Sequence, residues 1–127
     1  PAEQLGAFCR YRTGFALVES ELLILCVAAR YQCLGEQQIH EPIALKAGLS
    51  AQAIDHLRAG QPPALTDERQ RLMHRLATEL LDTHRIGEAA YCDGIAAFGE
   101  RGMVELVGIL GYYTLVAMTL NAFEMQT

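Results

Sequence analysis

Eighteen consecutive residues, Leu106 to Phe123, carry no formal charge. A run of that length reaches the roughly 18–20 residues a helix needs to cross a bilayer. Its details favour burial in protein. Thr114, Thr119 and Asn121 are polar, Gly108 and Gly111 lower helix propensity, and the flanks are Glu105 and Glu124 with no anchoring Lys or Arg. The run therefore predicts a helix, Met103 to about Glu124, in a bundle or at an oligomer interface, with its glycines permitting close approach of a neighbour. A second apolar block, Leu22 to Ala29, follows Glu19-Ser20. It is apolar on nearly every face and so belongs at the centre of the fold.

Strand-type alternation is absent, and the remaining apolar spacings are helical throughout. The pattern predicts a helix over Ala2–Arg12, a break at Thr13-Gly14, and a helix over Leu34–Ala47 capped by Gly48. Pro42 inside that helix implies a kink or a late start. Ser50 caps a short helix ending before Gly60, and Thr66 caps a longer one with Leu72, Leu76, Leu80 and Leu81 on one stripe. After a break at 84–87, Glu88 to Phe98 forms another helix, ended by Gly99, and Gly102 precedes the last. The expectation is an all-α fold, a compact bundle of about six helices in one domain spanning residues 1–127.

A chain of 127 residues with 51% hydrophobic and 20% charged residues can build a core without disulfides and is not disordered. Its net charge of −5 argues against nucleic acid as a partner. The cysteines Cys9, Cys26, Cys33 and Cys92 form no C-x-x-C or zinc-ribbon spacing. Cys9 and Cys26, in apolar stretches, read as small buried hydrophobes. Unpaired thiols and an N-terminus without a basic or apolar leader predict a cytoplasmic protein. Pro1 in place of a starting Met implies a trimmed chain with residues upstream.

Chemistry concentrates in Glu21-(x11)-Cys33-(x2)-Glu36-(x3)-His40. Glu36 and His40 are i and i+4, so on one helix they share a face. A carboxylate beside an imidazole favours the imidazolium and orients the ring, which suits a general acid/base. Such pairs also occur on solvated helix faces, contributing a few tenths of a kcal/mol. Cys33 lies two turns before His40 if the helix extends that far. Glu21 faces an apolar environment, where an unpartnered carboxylate is costly, so it is expected to meet a donor. Glu21, Glu36 and His40 also make up a two-carboxylate, one-imidazole set of the kind that binds iron or manganese, although no metal is expected. His56, His74 and His84 read as solvated, and Arg69, Arg71 and Arg75, interleaved with acids, as an outer face.

These residues, with Glu41-Pro42 and Ala47-Gly48-Leu49-Ser50, resemble the carboxymuconolactone decarboxylase and alkylhydroperoxidase D superfamily. So does Gly99-Glu100-Arg101-Gly102-Met103-Val104-Glu105-Leu106-Val107, running into Gly111-Tyr112-Tyr113 and Leu120-Asn121. The resemblance implies an all-helical obligate homo-oligomer, trimer or hexamer, with its site at a subunit interface. Glu21, Cys33 and His40 match the Glu, first Cys and His of the peroxidase members, while Glu36 stands in place of the second Cys. Decarboxylase-like members share the Glu–His spacing without a dithiol, though many have Trp where this chain has Gln37. The resemblance thus implies a cofactor-free enzyme acting on a small lactone or keto acid. His40 is the acid, Glu36 tunes it, and Glu21 with Tyr112 or Tyr113 supports the site and the small-molecule substrate. A one-cysteine peroxidase at Cys33 and a non-catalytic helical oligomer are the alternatives.

Overall fold

The structure, a computed structural model, describes residues 1–11 and 13–123, without the side chains of residues 9–11. Arg12, Glu124 and the side chain of Cys9 thus lie outside the described residues. Among the described residues the helical elements are α1 (Ala2–Tyr11), α2 (Leu17–Arg30), α3 (Leu34–Ala47), α4 (Ala51–Arg58), α5 (Glu68–Thr83) and α6 (Glu88–Ala122). Among the described residues there is no strand.

The core is organised around α2. Every residue from Glu19 to Ala28 is buried, and α2 packs against α3, α4, α5 and α6 at once. Leu22, Leu23 and Val27 are wholly inaccessible, as the all-round apolar pattern requires. α2 starts at Leu17, two residues earlier than Glu19-Ser20 suggested. Glu19 reaches back to accept a hydrogen bond from the N-cap Ala16 N–H at 2.9 Å, so it serves the first turn without opening it. Ser50 Oγ accepts from Ala53 N–H at 3.0 Å, capping α4 as expected. α5 is capped by Asp67, whose Oδ1 accepts from Gln70 N–H at 2.9 Å. The cap therefore falls one residue beyond Thr66, on a carboxylate that complements the helix dipole better than a hydroxyl. Gly48, with φ 120°, ends α3 as read.

Pro42 does not delay α3, which runs from Leu34 through it and forgoes the one N–H that would bond to the Gln38 carbonyl. The last two expected helices meet, as expected, at a break at Gly99 and are together designated α6. Gly99 has φ 72° and ψ 174°, a conformation open essentially only to glycine. Helical geometry resumes at once, so no separate linker extends to Gly102. α6 is long and apolar enough to cross a membrane, a property it shares with core helices of soluble proteins. In the fold its second half buries Met103, Leu106, Ile109, Leu110, Tyr113 and Ala117.

Candidate functional site

α2 and α3 are joined by the short turn 31–33, and their close packing sets Glu21 opposite the middle of α3. His40 Nδ1 donates to Glu21 Oε2 at 2.7 Å. On the other side of the ring, Nε2 lies 3.2 Å from Glu36 Oε2, one turn back on α3. That second contact is an ion pair without hydrogen-bond alignment, since Glu36 Oε2 accepts no hydrogen bond. Exposure of the three residues is 0% for Glu21 and 4% each for Glu36 and His40. One imidazole is therefore held between two buried carboxylates.

Burial is the largest single influence on His40 and lowers its pKa, but the Glu21 hydrogen bond, the close Glu36 contact and the charges of both carboxylates together outweigh it. They lift the ring from 6.5 to about 9. His40 is therefore an imidazolium at neutral pH, with Nδ1–H bonded to Glu21 and Nε2–H beside Glu36. Among the described residues no three His, Cys, Asp or Glu side chains gather as a metal-binding group.

The tyrosines extend this cluster. Tyr113, 5% exposed, presents its ring edge-on to His40, with centroids 5.4 Å apart and planes at 84°. Tyr112 packs edge-on to Tyr113 at 5.0 Å and reaches α1. A Cβ on Gly6 would lie 2.5 Å from its hydroxyl oxygen. Contacts thus run continuously from Gly6 through Tyr112 and Tyr113 to His40, a connection with no sequence signal beyond the Gly and Tyr identities.

Cys33 is placed differently from the expectation. It is the N-cap of α3, one residue before the helix begins, so it does not share the helical face of Glu36 and His40. Its thiol is free and wholly inaccessible. The position beside the imidazole is held by the Glu36 carboxylate. His74 also departs from the solvated reading: it is half-buried and lines a cavity between α2, α4 and α5. The arginine cluster does lie outside, although Arg69 stacks over the Phe98 ring at 4.7 Å while its Nε donates to Glu19 Oε2.

No protein-family model matches the chain, and no curated protein matches it. Among solved structures, an uncharacterized peroxidase-related protein from Silicibacter sp. TM1040 matches with a TM-score of 0.81 and 16% sequence identity. The match covers 95% of this chain, which spans 65% of the length of that protein. At this identity the likeness establishes a shared all-helical fold.

Proposed function

We propose that the chain is a cofactor-free acid/base enzyme of the carboxymuconolactone decarboxylase-like kind, acting on a small lactone or keto acid. The observation that carries this reading is the buried imidazolium between two carboxylates. In a decarboxylation, the bond to the carboxylate carbon breaks and CO2 leaves. The released electron pair enters the substrate's conjugated carbonyl, and carbon then takes a proton. His40 supplies that proton from Nε2, the nitrogen whose partner is not hydrogen-bond aligned. Glu21 holds Nδ1–H and fixes the ring. Glu36 offers the position at which substrate displaces a carboxylate, and solvent restores the proton after turnover.

Two further features support the setting. Val104, Val107, Leu115 and Met118 are each about half or more exposed along one side of α6, at spacings of three, eight and three that keep them on one helical stripe. We assign this stripe to contacts between copies of the chain, in a trimer or hexamer that completes the substrate site beside Tyr112 and Tyr113. The free thiols Cys26, Cys33 and Cys92 fit a reducing, cytoplasmic location for a water-soluble assembly.

The test is turnover of a panel of β-keto acids and unsaturated lactones, followed by CO2 release. His40→Ala is expected to lose roughly 100-fold or more in kcat, the usual range for a positioned acid. Undiminished turnover in that variant refutes the assignment.

The shared fold with a protein described as peroxidase-related favours one second reading, peroxide reduction at Cys33. It requires Cys33 to form a sulfenic acid, reduced afterwards by an external thiol. Mass spectrometry at substoichiometric peroxide decides it, because an unmodified Cys33 removes the idea.

A further inference from the structure

A separate cavity of about 340 Å3 lies between the C-terminal half of α2, the end of α4 with its following loop, and α5. Its volume is within the range of small-molecule sites, about 300–1,000 Å3. α5 lines it with His74, Thr78 and Leu81, which at spacings of four and three share one face. Leu57 and the Cys26 thiol provide apolar wall.

The polar side chains of this cavity are His74, Thr78 and Gln61, with the charged Arg30 and Asp82. Among the described residues, the His74 side chain makes no hydrogen bond or ion pair within the protein. Thr78 Oγ1 donates to the His74 carbonyl at 2.9 Å, which leaves its oxygen free to accept. The full charges at the cavity, Arg30 and Asp82, form an ion pair with each other. Burial holds His74 below its ordinary pKa, so the ring is neutral at pH 7 with one donor and one acceptor nitrogen. Burial also pushes the Cys26 thiol up to about 12, keeping it protonated and apolar.

We propose that this cavity binds a compact, uncharged molecule with an apolar body and one hydroxyl, the hydroxyl pairing with His74 and the body lying against Leu57, Leu81 and Cys26. Phenol is the simplest member of that class. An ionised ligand is disfavoured, because it would lose hydration without an unpaired countercharge and would have to separate Arg30 from Asp82.

The experiment titrates the full chain with phenol and, in parallel, with benzoate, following the His74 ring signal by NMR. Phenol is expected to saturate at one per chain with Kd on the order of 1 mM, suitable for so few atoms. Benzoate should bind at least about 10-fold more weakly, a difference of about 1.4 kcal/mol. Ala29→Trp, which fills the cavity from α2, should abolish the response. Leu81→Phe provides a second filling variant, and circular dichroism checks that each is folded. His74→Phe, which removes the ring reporter and is therefore followed by isothermal titration calorimetry, should weaken phenol while preserving the cavity's apolar wall. Failure of the His74 signal to saturate overturns the proposal, as does binding that survives both filling variants or benzoate binding equal to phenol.

Discussion

Replacing Glu21 with glutamine removes the charge that faces His40 Nδ1 and leaves an acceptor oxygen in nearly the same place. In the native protein the ring is raised from 6.5 to about 9. At about 1.36 kcal/mol per pH unit, this is a preference for the imidazolium on the order of 3 kcal/mol. Because the folded pKa lies above the unfolded one, the stabilisation is complete below pH 6.5 and is lost as pH rises through about 9. The native unfolding free energy should therefore fall by up to that amount across this window. Burial opposes the charge in the variant as before, but only Glu36 remains to favour it. Glu21 is the stronger of the two carboxylate influences, so at least half the rise disappears, on the order of 1–2 kcal/mol. Urea melts at intervals from pH 6 to 10 measure the stability, and the His40 ring carbon signal reports the titration directly. A native midpoint that stays level or climbs between pH 6.5 and 9 would refute the reasoning, as would a variant ring that still titrates near 9.

Gly99→Ala forces a side chain onto φ 72° and ψ 174° and should destabilise by about 1–3 kcal/mol although the surrounding space is open; thermal melts read the loss. Gly6→Val places atoms against the Tyr112 ring and hydroxyl. It should cost about 1–3 kcal/mol, with proteolysis accelerated within α1 if that contact holds the helix down. Iodoacetamide mapped by mass spectrometry should modify exposed Cys92 first, while buried Cys26 and Cys33 react only after denaturation.

Local chemistry was the legible part of this fold. Gly48 and Ser50 end α3 and start α4 where their conformational and capping properties place them. The Leu22–Ala29 block marks the central helix by its lack of a polar face. Misplacements arise where neighbouring residues compete for one role, as Thr66 and Asp67 do at the α5 cap. Cys33 is another case, because spacing alone cannot tell whether a residue lies just inside or just outside a helix. The Glu21–His40 bond joins positions 19 apart. The cost of burying a carboxylate predicted that a donor exists, but only the packing of α2 on α3 identifies it. His74 sits among Arg71 and Arg75, so its own helix reads as polar there. The cavity that half-buries it is made by α2 and by the loop after α4, which no local pattern reports.

Burial of α2 along ten consecutive residues also bears on the time scale of the candidate site. Helices enclosed on every side open only with the whole molecule, so their amides exchange most slowly with solvent. Glu21 belongs to that slowest unit, whereas binding machinery is more often mounted on loops that open readily. The angular register of Glu21 toward His40 is consequently as durable as the fold. Hydrogen–deuterium exchange should find the Glu21 amide among the last to exchange, with a rate that follows global unfolding.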